Sequence, residues 1–182
     1  GVGKTYIAKR LAYSIMGEKD VNRVMMVQFH QSYSYEDFVM GFRPSATGFE
    51  LKKGAFYNFC KKAEIDSDNK YFFIIDEINR GNLSKIFGEL FMLIENDKRG
   101  NKNKLQLLYS DEMFYVPENV YIIGMMNTAD RSLAMMDYAL RRRFAFFNIA
   151  PGFDSEGFRA YKTDLDNSKF DSLIACVQEL NK

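Results

Sequence analysis

Residues 71–75 (YFFII) are consecutive aromatic and β-branched side chains with no polar residue among them. A strand with one wet face alternates apolar and polar residues. One that does not alternate must be covered on both faces, as strands are inside a parallel sheet layered by helices. Residues 24–29 (VMMVQF) and 120–124 (VYIIG) read as further buried strands, and residues 144–149 as a fourth. Helical spacing fills the intervals: Ile7, Leu11 and Ile15, then residues 35–40, 55–63 and 133–141. Leu83, Ile86, Phe87, Leu90, Phe91 and Ile94 form one stripe that predicts an unbroken helix. Residues 41–54 read as a loop or inserted hairpin, and residues 105–109 and 113–116 as a second hairpin. Strands alternating with helices give an α/β fold with a mostly parallel sheet. Pro151-Gly152 breaks the pattern, and the residues beyond it have helical spacing. The chain therefore divides into an α/β core, residues 1–150, and the beginning of a helical subdomain, residues 151–182.

The first five residues, Gly1-Val2-Gly3-Lys4-Thr5, match the second half of the phosphate-binding loop G-x-x-x-x-G-K-[ST]. Glycines let backbone N–H groups close round phosphate oxygens, and the following helix points its positive end at them. Lys4 is placed to reach the β- and γ-phosphates, and the Thr5 hydroxyl to ligate Mg²⁺. The apolar strand at 71–75 runs straight into Asp76-Glu77. In open parallel sheets ligands sit at the carboxyl ends of the strands. There Asp76 is expected to hold Mg²⁺ and Glu77 to orient and activate water. The 120–124 strand leads to Asn127, whose amide offers a donor and an acceptor to the same water or to a phosphate oxygen. Arg141, Arg142 and Arg143 precede the last strand, and guanidinium groups there can stabilise transferring phosphoryl charge on a neighbouring subunit. A solvated basic turn or a nucleic-acid contact are the alternatives.

Composition limits the remaining options. With 25 Lys+Arg against 24 Asp+Glu, the net charge of +1 does not favour tight DNA binding through phosphate neutralisation. A single histidine, His30, rules out a histidine-rich metal site and reads as a core or rim residue. The methionine doublets at 25–26, 125–126 and 135–136 read as core filler. Cys60 and Cys176, in apolar-periodic segments, read as buried thiols of a reducing compartment, which points to the cytoplasm. No apolar run approaches the roughly 18 residues a membrane span needs.

Taken together, the phosphate loop, Asp76-Glu77-Ile78-Asn79-Arg80, the element 127–132 (NTADRS) and the stretch 137–144 resemble the AAA+ NTPases of the McrB type. These are nucleotide-hydrolysing subunits of modification-dependent restriction systems. The resemblance implies an AAA+ three-layer sandwich entering a helical lid. It makes Gly1, Val2, Gly3, Lys4 and Thr5 the nucleotide loop, Asp76 and Glu77 the Walker B pair and Asn127 the sensor. Arg142 and Arg143 become the arginines acting in trans, and Arg80, Asp130, Arg131 and Asp137 couple the site to a neighbour or partner. It further implies GTP with Mg²⁺, a ring expected to be a hexamer, an McrC-like endonuclease partner, and DNA contact only through a domain outside these residues. Other readings are a MoxR-like AAA+ ATPase with chaperone activity and a nucleotide-gated scaffold that does not hydrolyse. The scaffold has no use for Glu77 and Asn127. The loop's first glycine and the strand before it are not in the sequence, so a segment of a longer chain is expected, unstable by itself.

Overall fold

The structure is a computed structural model and describes residues 3–127 and 141–180. It divides into a unit ending at Phe146 and a second beginning at Phe147. In chain order the first unit carries α1 (Lys4–Met16), β1 (Val24–Gln28), α2 (Tyr35–Phe38), β2 (Met40–Ser45), β3 (Gly48–Lys53), α3 (Ala55–Ile65), β4 (Tyr71–Asp76), α4 (Leu83–Phe87), β5 (Leu105–Gln106), β6 (Met113–Phe114) and β7 (Val120–Gly124). The second carries α5 (Glu156–Leu165) and α6 (Ser168–Leu180).

β1, β4 and β7 form a parallel sheet with β4 in the middle. The apolar run of β4 explains its position. Tyr71, Phe73 and Ile75 point into the main core, while Ile74 packs with Ala8 of α1 and Met125 on the other face. The main core is built from aromatic rings: Phe38 stacks on Phe56 at 4.7 Å, and Phe73 meets Phe56 edge-on at 5.1 Å. Each fully buried phenylalanine contributes about 1.5–3 kcal/mol by leaving water. α1 approaches β4 through its small residues, Ala8 and Ala12, which are buried. Ile7, Leu11 and Ile15 lie off that contact, between 41% and 48% exposed. Gly17 ends the helix in the left-handed conformation, its N–H donating to the Tyr13 carbonyl at 3.0 Å.

Of the two readings of residues 41–54 the hairpin is the one that forms, β2 pairing antiparallel with β3, and the second hairpin forms from β5 and β6. They are tied to α3 through one carboxylate. Glu112 accepts from Lys53 Nζ at 2.7 Å and from the Tyr57 hydroxyl, and lies 3.2 Å from Lys61 Nζ. Burial acts to raise the Glu112 pKa, but these three donors outweigh it and hold it down at about 2.

Three expectations are corrected. The stripe from Leu83 to Ile94 is buried as predicted, but the helix does not continue through it: α4 stops at Phe87 and a 3₁₀ turn, Gly88–Phe91, takes over. Gly88 has φ 53° and ψ −131°, a conformation that side chains exclude. The Tyr35 ring fills the space a Cβ would need, at 2.9 Å, with its hydroxyl donating to Glu89 Oε1 at 2.6 Å. Residues 144–149 form no strand; no backbone among the described residues pairs with them, and Phe147 is 88% exposed. Apolar content marks a strand only where a neighbour completes its ladder. Cys176 is exposed, unlike buried Cys60, because α5 and α6 make a thin two-helix unit in which no described residue is buried. The predicted helix at 133–141 lies, apart from Arg141, outside the described residues.

Candidate active site

Parallel pairing brings the carboxyl ends of β1, β4 and β7 side by side. Gln28 is level with Asp76, and Ile75 with Gly124. Beyond the ladder the backbone stays knitted: Phe29 N–H donates to the Asp76 carbonyl at 2.9 Å, and Met125 N–H to the Ile75 carbonyl at 2.8 Å. Ile78 N–H then donates to the Met125 carbonyl at 2.9 Å, drawing the chain after β4 across the end of β7. Gly124 makes that crossing possible, since a Cβ there would sit 2.7 Å from Ile78 Cδ1.

This crossing shapes the acidic pair. Asp76 is the half-buried last residue of β4, and its Oδ1 accepts from the Glu77 N–H at 3.0 Å. Glu77 lies in the left-handed region at φ 50°, ψ 44°, uncommon for a residue with a side chain and here fixed by the bonds on either side. Arg80 Nε donates to Glu77 Oε2 at 3.1 Å, closing the turn 78–80. Asn82 caps the next helix, its Oδ1 accepting from Lys85 N–H at 3.0 Å.

The phosphate-loop lysine meets these strands. Gly3, at φ 76°, turns the chain into α1, and Lys4 Nζ donates to the Met126 carbonyl at 2.5 Å. Met126 directly precedes Asn127, so the lysine spans from α1 to the end of β7. Thr5 is exposed in the first turn of α1. Lys4, Asp76, Glu77 and Asn127, widely separated in sequence, thus gather at one end of the sheet. His30 is exposed just past β1, its ring edge-on to Tyr33 at 5.5 Å.

The two arginines part company. Arg142 is exposed. Arg143 turns inward: Nε donates to the Phe91 carbonyl at 3.0 Å, a terminal nitrogen lies 2.7 Å from Glu95 Oε1, and the guanidinium carbon sits 4.4 Å from the centre of the Phe91 ring. The sequence singled out neither Glu95 nor the Met126 carbonyl. Glu95 follows the apolar stripe and precedes a lysine- and arginine-rich turn, so an acid there looks like surface charge. A backbone acceptor leaves no trace in residue type. Gly1, Val2, Asp130, Arg131 and Asp137 lie outside the described residues.

The donors suit a divalent ion that arrives with its ligand. Among the described residues no group of three or more His, Cys, Asp or Glu is placed to hold a metal by itself. One hydroxyl, Thr5, and one carboxylate, Asp76, are donors of the kind that would fit Mg²⁺ when phosphate oxygens and water complete its shell.

The sequence profile of the AAA domain family, dynein-related subfamily, matches residues 1–144. The type IV methyl-directed restriction enzyme EcoKMcrB subunit of Escherichia coli K12 is 59% identical over the whole chain, and the type II restriction enzyme BsuMI component YdiS of Bacillus subtilis is 29% identical over 63% of it. The chain spans 41% and 37% of the lengths of these two relatives. A solved structure of a putative ATPase from Cytophaga hutchinsonii aligns over 87% of this chain and 50% of its own, with TM-score 0.44 and 16% identity. No helix among the described residues is long and apolar enough to cross a membrane. The chain belongs to the AAA domain family of P-loop NTPases, and its sequence is of the McrB type.

Proposed function

We propose that these residues form the GTP-hydrolysing core of a restriction-complex motor, with each nucleotide bound between two copies of the chain. The observation that carries this reading is the Lys4–Met126 contact, which supports one site made of the phosphate loop, the acidic pair and Asn127. Residues 1–5 wrap the phosphates, and Lys4 leaves the Met126 carbonyl to bind them, freeing the end of β7 to adjust. Thr5 and Asp76 are the residues that hold Mg²⁺, which when bound supplies charge neutralisation on the phosphates. Glu77 orients the attacking water and takes its proton, with Asn127 holding the same water or the γ-phosphate. Arg80, hydrogen-bonded to Glu77, couples that carboxylate to events outside the site, together with Asp130, Arg131 and Asp137.

Arg142 acts in trans. Its exposure supports this role, whereas Arg143 is taken up by Phe91 and Glu95. A trans arginine requires association, and a ring of six copies with an McrC-like endonuclease subunit fits the similarity to the EcoKMcrB subunit. The near-balanced charge supports DNA contact by other parts of the assembly, which works in the cytoplasm. The test is steady-state turnover of GTP and of ATP by the intact protein with its partner subunit. GTP preference is expected. Clear ATP preference would replace the reading with a MoxR-like ATPase, and tight binding without turnover would replace it with a nucleotide-gated scaffold.

A further inference from the structure

The geometry points to Glu95 as a positioning residue that sets the place of Arg142, and hence of the charge it brings to the neighbouring subunit's nucleotide. Three contacts converge on the next residue, Arg143. Its guanidinium donates to the Phe91 carbonyl at 3.0 Å, covers the Phe91 ring at 4.4 Å and pairs with Glu95 at 2.7 Å. The Arg143 side chain is only 14% exposed and that of Glu95 30%, so the pair is shielded from much of the water that weakens a surface ion pair. Phe144, the following residue, packs against the main core. Arg142 is therefore an exposed side chain held immediately before two anchored residues. Such an anchor limits how far its guanidinium can wander, and misplacement by about 1 Å can cost as much as ~100-fold in rate.

The anchor has a second property. Phe91 and Glu95 belong to the segment that begins at the acidic pair: Asp76 and Glu77, the turn 78–80, the Asn82 cap, α4 and the 3₁₀ turn after Gly88. Leu83, Ile86, Phe87, Leu90 and Ile94 fix that segment to one core. The segment that carries one subunit's water-activating carboxylate thus also carries the anchor of the arginine offered to the next subunit. Glu95 joins the two ends.

This inference rests on the proposed trans role of Arg142, and the experiment separates the two. GTP turnover and thermal unfolding are measured on the full chain with its partner subunit for Glu95→Gln, Glu95→Ala, Arg142→Ala and the double variant Glu95→Ala/Arg142→Ala. Glu95→Gln keeps the size of the side chain but removes the charge that pairs with Arg143, which makes it informative even if the alanine variant folds poorly. The expected result is a fall in kcat of ~10-fold or more in the Glu95 variants with KM changed less than about 3-fold. The double variant then turns over no more slowly than Arg142→Ala, because Glu95 acts through that arginine. Unchanged kcat in Glu95→Gln and Glu95→Ala overturns the proposal, as does a double variant whose losses multiply. If Arg142→Ala itself keeps full turnover, the trans reading fails, and the positioning role fails with it.

Discussion

At the residue scale, the site depends on side chains whose types announce chemistry and on backbone atoms that do not. Lys4, Asp76, Glu77 and Asn127 stand out as candidates in the sequence because phosphate and water handling call for an ammonium, carboxylates and an amide at strand ends. The Met126 carbonyl that Lys4 engages was not legible, since every residue has one. Glu77 carries the most specific prediction. Replacing it by Gln removes the proton acceptor and keeps the shape, so GTP turnover should fall by ~10²-fold or more. A fluorescent-nucleotide titration should meanwhile show affinity retained within about 3-fold. Gly88 makes an equally local case. At φ 53° with the Tyr35 ring 2.9 Å from its missing Cβ, it leaves no room for alanine. Gly88→Ala should cost about 2 kcal/mol or more, read from the denaturant midpoint at unchanged slope.

At the element scale, periodicity identified what is buried better than what is continuous. All six stripe residues from Leu83 to Ile94 are buried, yet the helix breaks at Gly88 because the Tyr35 ring occupies that spot and the backbone must turn around it. Residues 144–149 show the converse, an apolar run with no paired neighbour among the described residues. The second hairpin was legible from its two β-like pieces and the first only as one of two readings of residues 41–54, but the carboxylate fastening them was not. Glu112, 59 residues from Lys53, acquires its role only when β3, α3 and the β5–β6 hairpin meet. Its folded pKa, about 2, lies below the ordinary value of 4.5, so the stabilisation it provides is complete above that value and lost as pH falls toward 2. Between pH 5 and pH 3 the wild-type chain should lose more unfolding stability than Glu112→Gln, and chemical denaturation at the two pH values checks it. Arg99 fastens another pair of elements, donating to the Ile94 carbonyl at 2.8 Å and to the Val120 carbonyl at the start of β7. Arg99→Met strips both carbonyls of a half-buried donor and should destabilise by about 1–3 kcal/mol in thermal or denaturant unfolding.

At the scale of the whole molecule, alternation of strands and helices sufficed for the α/β class, since a strand buried on both faces has few other homes. The middle position of β4 follows from its composition. The pairing of Arg143 with Glu95 does not, because it joins residues 48 apart through a 3₁₀ turn that the apolar pattern did not foresee. That pairing separates an anchored arginine from an exposed one, and the exposed one is the residue the proposal assigns to a site between molecules. In the proposed site Glu77 serves the nucleotide of its own subunit, and Arg142 that of its neighbour. Full-length Glu77→Gln and Arg142→Ala chains, each defective alone, should therefore complement one another. GTP turnover is measured as the two are mixed at constant total protein. Turnover is expected to rise above either variant alone and to peak at intermediate ratios, where an intact Glu77 faces an intact Arg142. A mixture no more active than the average of its two components would contradict a site shared between subunits.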